Sequence, residues 1–164
     1  MPHETPIKAD NAVFRHMLGS FATGVTVAAC RTRDGAPSGI TINSFTSLSL
    51  TPPLILFCLA HTAKCHADFL RAGQFSINIL GADQELIARH FAGREAGDWS
   101  RIALMPETGG KPPLLRDCLG WMICRRHAVH AGGDHDIIVG EVLELSSVQN
   151  ADPLLYFRGQ YRQL

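Results

Sequence analysis

Short hydroxyl and amide side chains crowd one stretch of the sequence: Thr41, Asn43, Ser44, Thr46, Ser47 and Ser49, set between Ile40, Ile42, Phe45, Leu48 and Leu50. The run from Leu54 to Leu59 that follows is unbroken apolar and of strand length. Thr51-Pro52-Pro53 must separate the two, because a proline cannot donate to a ladder and biases its predecessor away from helix. The pattern predicts two strands, one exposing a row of donors and acceptors, the other buried on both faces. Polar groups and backbone amides beside an apolar wall suit a flat, hydrogen-bonding ring such as an isoalloxazine; the same row would also serve as an ordinary sheet edge.

Thr62 as N-cap and Gly73 as C′ residue predict a short helix directly after the apolar strand. Free amides, the Thr62 hydroxyl and the Lys64 ammonium at its start would make a phosphate site, although a plain capped helix with a solvated lysine accounts for the same residues. His135 follows Gly132-Gly133-Asp134, where two glycines permit close approach of another molecule. Asp134 and Asp136 could orient this histidine or raise its pKa; a turn histidine in solvent is the plain alternative. Cys124, His127, His130, Asp134, His135 and Asp136 also invite a metal reading. On a strand, however, His127 and His130 point to opposite faces, and Cys124 and His130 stand roughly 20 Å apart at about 3.3 Å per residue. No metal site is therefore expected. Nothing sets a base beside Ser44, Ser47 or Cys58 with an orienting acid, which argues against a hydrolase. There is no G-x-G-x-x-G after a strand, no P-loop and no G-x-S-x-G, so any nicotinamide dinucleotide is held without a Rossmann site.

The elements that must position these groups read mainly as strands. Asp10 caps a helix with an apolar stripe at Phe14, Met17, Leu18 and Phe21. Val25 to Cys30 is strand-like, Asp34-Gly35 is a hairpin turn signal, and Phe75 to Ile79 alternates as a half-buried strand. A helix from an Asp83 cap runs through Leu86, Ile87, His90 and Phe91 to Gly93. Residues 93 to 113 lack periodicity and are the candidate for a mobile, functional loop. Trp121 to Ala131 and Asp136 to Leu145 form a long hairpin with a bulge at Gly140, and Leu154 to Phe157 is a last strand. Strands that follow one another directly favour an antiparallel barrel or sandwich.

At 164 residues the chain is expected to be one domain, residues 11–164, behind a flexible N-terminal arm at 1–10. Fifteen Lys+Arg balance fifteen Asp+Glu with no basic run, which argues against nucleic acid as a partner. Hydrophobic residues make up 46% and charged ones 18%, more apolar surface than a small monomer needs and a hint of self-association. No signal peptide or membrane span is read, and five cysteines without a C-x-x-C pair suggest reduced thiols. A cytoplasmic location is expected.

Several segments, taken together and in order from about residue 11 to the C-terminus, resemble the flavin reductase family of FMN-binding split barrels. They are Phe21-Ala-Thr-Gly-Val-Thr-Val27, the stretch from Thr41 to Leu59 with its Asn-Ser-Phe-x-Ser and Pro-Pro, Phe75 to Leu80 and Phe91-Ala-Gly-Arg94. Gly133-Asp-His-Asp-Ile-Ile-Val-Gly-Glu-Val142 and Pro153 to Tyr161 complete the set. The resemblance implies an antiparallel Greek-key split β-barrel with two or three short helices, homodimeric, that binds FMN or FAD and oxidises NADH or NADPH. It implies that reduced flavin is passed to a partner monooxygenase. A non-enzymatic flavin- or haem-binding carrier or sensor, and a reductase of a corrinoid or iron acceptor, are the rival readings. By the same resemblance Asn43, Ser44 and Phe45 present main-chain groups to the flavin's polar edge. Thr46, Ser47, Thr62 and Lys64 meet the phosphate, and Cys58 and Leu59 line the ring or ribityl chain. Phe91 and Trp99 come from the partner subunit or the covering loop. His135 belongs to the nicotinamide side as a positioning group and not an essential acid or base, with Phe157, Arg158 and Tyr161 near the same cleft. His61-Thr-Ala-Lys64 departs from the serine-rich segment common there, and Trp99 stands where a phenylalanine is common.

Overall fold

Three phenylalanines set the curvature of the molecule. The structure, a computed structural model, describes residues 10–93, 97–106 and 109–164. The chain runs α1 (Asn11–Leu18), β1 (Thr23–Gly24), β2 (Thr26–Arg31), β3 (Pro37–Ile42), β4 (Thr46–Leu50), β5 (Pro53–Ala60), α2 (His66–Arg71) and β6 (Gln74–Ile79). It continues through α3 (Glu85–Ala92), β7 (Gly120–Gly132), β8 (His135–Ser147), β9 (Leu155–Phe157) and β10 (Gln160–Arg162). Seven strands form an antiparallel sheet in the order β3-β2-β6-β7-β8-β5-β4, and a small sheet has the order β1-β9-β10. The expectation of a mainly antiparallel β protein with a few short helices holds.

In a flat sheet β5 and β6, with β7 and β8 between them, would lie about 14 Å apart. Yet the ring centroids of Phe57 on β5 and Phe75 on β6 are 5.4 Å apart, and Phe69 of α2 stands 5.7 Å from Phe57. The sheet therefore curls round this cluster. Gly140 of β8 permits it, because a Cβ there would strike the Phe75 ring and Cys124. The predicted bulge lies across the ladder from Gly140: β7 shifts register between Arg126 and Ala128, leaving His127 as the extra residue. Gly132 pairs with His135, so Gly133, at φ +77°, and Asp134 form a two-residue turn.

Several local expectations are corrected. The polar stretch does not run as one strand: β3 ends at Ile42 and β4 starts at Thr46, with Asn43, Ser44 and Phe45 between them. β5 is not buried on both faces, since Ile55, Phe57 and Leu59 are buried while Leu54, Leu56 and Cys58 are half-buried. Conversely, β6 is not half-buried, for Ser76 and Asn78 are fully enclosed. The segment at 113–115 covers them: Leu115 N donates to Asn78 Oδ1 at 2.9 Å, Asn78 Nδ2 donates to Val27 O at 3.1 Å, and Ser76 Oγ donates to Pro113 O. The far part of the expected mobile loop is thereby tied down, and Met105 N to Leu114 O and Arg116 N to Ala103 O, both 2.9 Å, tie it further. Residues 94–96 and 107–108 of that loop, and residues 1–9 of the expected arm, lie outside the described residues.

The helices differ at their starts. Asp10 caps α1 as expected, accepting from Ala12 N and Val13 N, but no residue of α1 is buried and its apolar stripe is exposed. α2 begins at His66 and not after Thr62, with Cys65 at the cap making no side-chain hydrogen bond; ahead of it the amides of Ala63 and His66 donate to Ala60 O and Ala63 O. α3 begins after Gln84 and not Asp83, since Gln84 Oε1 turns back to accept from Gly81 N at 3.0 Å. The five cysteines are free, and burial pushes the thiols of Cys30, Cys118 and Cys124 up to about 12 and that of Cys65 to about 11. These four are inert core residues. Among the described residues no helix is long and apolar enough to cross a membrane.

Candidate functional site

The three-residue link between β3 and β4 is held by one side chain. Cys58 N donates to Ser44 Oγ at 3.0 Å, and Ser44 Oγ donates to Cys58 O at 3.2 Å. Ser44 thus replaces a strand neighbour for β5 just beyond the last β4 pairing, Thr46 with Leu56. Phe45 packs against the aromatic core, while Asn43 is left exposed at the corner. The polar stretch has a physical reason here: it finishes the sheet at its edges, where main-chain groups lack a partner strand.

A cleft of about 680 Å³ runs along β3, with Gly39, Ile40 and Thr41 on one side, Lys64 and Cys65 on a second and Phe91 on a third. A smaller one of about 180 Å³ adjoins it, sharing Thr41 and Ala92 and adding Asn43, Tyr156 and Tyr161. Thr41 Oγ1 donates to Ala88 O at 2.7 Å, which fixes α3 against β3. The Trp99 ring lies 4.6 Å from that of Phe91, and Gly39 makes room for it: a Cβ at Gly39 would approach Trp99 Cζ2 to 2.9 Å. Among the described residues the Trp99 indole N–H is buried without a hydrogen-bond partner.

Of the residues singled out from the sequence, Asn43, Lys64, Phe91 and Tyr161 line these two clefts. Trp99 backs the larger one through Gly39 and Phe91. Leu59 is buried with its side chain in the core, and Cys58 is half-buried on the opposite face of β5. Thr46, Ser47 and Thr62 are exposed beside the link and in the turn after β5. His135 opens β8, paired with Ala60, and its Nδ1 lies 2.7 Å from Asp134 Oδ1. That hydrogen bond holds the Asp134 carboxyl below the usual carboxylate range. Phe157 and Arg158 sit at the tight β9–β10 turn, with the Arg158 guanidinium 5.1 Å from the Phe157 ring and Arg158 N donating to Gly19 O at 2.7 Å. Neither they nor His135 line the two clefts among the described residues. Thr41, the first residue of the polar row read from the sequence, lines both clefts, whereas Gly39 was missed; a glycine inside a strand pattern was the available sign of close approach.

The donor set fits a flavin. The larger cleft has small-molecule dimensions, apolar and aromatic walls, a lysine at one side and an unsatisfied buried N–H behind its wall. A family model described as "Flavin reductase like domain" matches residues 18–164. The chain belongs to this family. Relatives in the family include the flavin-dependent monooxygenase reductase subunit HsaB of Rhodococcus jostii, 38% identical over 148 residues, covering 90% of this chain and 75% of that protein. The FMN reductase (NADH) SmoA of Agrobacterium fabrum is 39% identical, covering 98% and 92%. The solved structure of the NADH:FAD oxidoreductase SgcE6 of Streptomyces globisporus, in complex with NAD and FAD fragments, superposes with a TM-score of 0.88. It is 33% identical and covers 94% of this chain and 93% of that one.

Replacing Ser44 with Ala removes both hydrogen bonds to Cys58 and with them the tie between the β3–β4 link and β5. The Ser44→Ala variant should lose about 1–2 kcal/mol of stability in urea unfolding and bind FMN more weakly. An unchanged midpoint together with unchanged FMN affinity would refute this role.

Proposed function

We propose that the protein is an NAD(P)H-dependent flavin reductase that supplies reduced flavin to a separate monooxygenase. The single observation that carries this is the family match across residues 18–164, supported by relatives whose names are those of reductase components. We read the curled sheet as the family's split barrel and the larger cleft as the flavin site. When bound, the flavin accepts a hydride from reduced nicotinamide, so the protein's task is to stack two rings and keep water from between them.

In this reading Asn43, Ser44 and Phe45 offer main-chain groups to the polar edge of the ring. The Ser44 bridge to Cys58 keeps that corner rigid. Lys64, together with Thr46, Ser47 and Thr62, meets the phosphate. Support for the lysine is its place on the cleft wall, with the start of α2 two residues beyond it and not at Thr62. Phe91 and Trp99 form the aromatic wall, and Cys58 with the main chain at Leu59 borders the ring. His135, steadied by Asp134, positions the nicotinamide and moves no proton, with Phe157, Arg158 and Tyr161 flanking the same side.

The exposed apolar stripe of α1 suggests what completes the molecule. Met17 of α1 is 73% exposed, Phe21, three residues past the end of that helix, is 76% exposed, and Leu145 of β8 is 65% exposed. We assign these surfaces to a homodimer. Sedimentation at micromolar concentration should give twice the 17.9 kDa chain mass, and a single 17.9 kDa species would refute the dimer.

The enzyme should oxidise NADH or NADPH, followed at the reduced-nicotinamide absorbance band, only when FMN or FAD is supplied. Absence of turnover with either flavin would favour a carrier and overturn the reading. In the His135→Ala variant the KM for the nicotinamide should rise by about tenfold while flavin affinity stays within about twofold, since a lost stacking or hydrogen-bond contact costs on the order of 1–1.5 kcal/mol. Unchanged nicotinamide kinetics would remove His135 from the site.

A further inference from the structure

Two histidines and an aspartate outside the flavin reading converge where β8 begins. His61 Nε2 lies 3.3 Å from Asp136 Oδ1, and His66 Nε2 lies 2.7 Å from Asp136 Oδ2. The two imidazoles stand edge to face, with centroids 5.3 Å apart at 73°, so each presents Nε2 to a different oxygen of one carboxylate. The three ligand atoms all fall within 4.8 Å of one another.

The three groups come from separately fixed pieces of backbone. Asp136 is the second residue of β8, laddered to Leu59. His61 follows β5, its amide donating to Asp134 O at 3.0 Å. His66 is the first residue of α2, its amide donating to Ala63 O at 3.0 Å. The His66 and Asp136 side chains are 19% and 15% exposed, whereas that of His61 is 44% exposed and leaves one side open to solvent.

We propose that His61, His66 and Asp136 form a binding site for a divalent transition-metal ion of the Zn²⁺ class, with the remaining coordination position open to water. Two imidazole nitrogens and one carboxylate oxygen are borderline donors that suit Zn²⁺ or Co²⁺; Mg²⁺ and Ca²⁺ prefer shells of oxygen. Bonds of about 2.0–2.2 Å at tetrahedral angles need ligand atoms roughly 3.4 Å apart. As the ion replaces the hydrogen bonds, the 2.7 Å separation of His66 from Asp136 must widen by less than about 1 Å, while that of His61 from Asp136, at 3.3 Å, already suits it. The two imidazole nitrogens, which lie within 4.8 Å of each other, settle to the same spacing by side-chain rotation. The bound ion clamps the start of α2 to the β5–β8 end of the sheet. His135 adjoins Asp136 in sequence but projects from the other face of β8, so the clamp steadies the strand that carries it without occupying its face. The site stands apart from the flavin reading, because its occupancy is read with neither flavin nor nicotinamide present.

The full-length protein, stripped with a chelator and dialysed, should bind one Co²⁺ per chain with the visible bands of a four-coordinate ion. Zn²⁺ should displace it and excess Mg²⁺ should not. The variants His61→Ala and Asp136→Asn should each weaken Zn²⁺ binding by at least about tenfold, the factor that even loss of an outer partner to a ligand costs, while His127→Ala leaves it unchanged. Absence of one-to-one binding at micromolar concentration, or wild-type affinity in His61→Ala, would reduce the triad to a hydrogen-bonded tether of α2. Should Asp136→Asn fail to fold, the more exposed His61→Ala decides the matter alone.

Discussion

A seven-stranded sheet whose two edge strands are neighbours in sequence cannot lie flat. β3 and β4 stand at opposite edges of the large sheet, yet only Asn43, Ser44 and Phe45 join them. The closure is driven from inside by Phe57, Phe69 and Phe75, which bring β5 and β6 within ring contact across two intervening strands. Burying three such rings together supplies several kcal/mol of hydrophobic stabilisation, at roughly 1.5–3 kcal/mol each. What remains is an edge, and β3 presents its outer side to α3 and to the turn after β5. The cleft is the space left among these three.

The residue types along that edge follow from the same constraint. Ser44 can satisfy both main-chain groups of Cys58 because its hydroxyl donates and accepts at once. Gly39 and Gly140 serve as close approaches on different layers, one under Trp99 and the other under Phe75. A larger residue at either position would push an aromatic ring out of place. The aromatic wall of the cleft and the aromatic core of the sheet thus depend on the absence of a side chain at two strand positions.

Much of this was legible in the sequence because it is local. Asp10 caps its helix, Gly133-Asp134 turns the long hairpin, and the apolar run from Leu54 to Leu59 is a strand. The family's motifs carry the flavin-reductase reading in the sequence itself. What escaped was decided at a distance. Ser76 and Asn78 look like the solvent face of a strand until the backbone of Pro113 and Leu115, 37 residues on, covers them. Thr62 reads as a helix cap, but Ala63 N bonds to Ala60 O and His61 N to Asp134 O, which holds 61–65 as turns and delays α2 to His66. The contact between His66 and Asp136 spans 70 residues. Crowding along the chain drew a metal reading to Cys124, His127, His130, Asp134, His135 and Asp136, and strand geometry argued against it; of these Asp136 meets two histidines from elsewhere, His61 and His66, which flank the turn before α2.

We propose that the flavin occupies the cleft bounded by β3, the turn after β5 and the end of α3. Amide hydrogen exchange of the protein with and without saturating FMN tests it most directly. Exchange should slow in residues 37–46, 61–65 and 88–93 when FMN is bound. FMN binding that leaves all three segments unchanged, and protects amides elsewhere, would contradict the account.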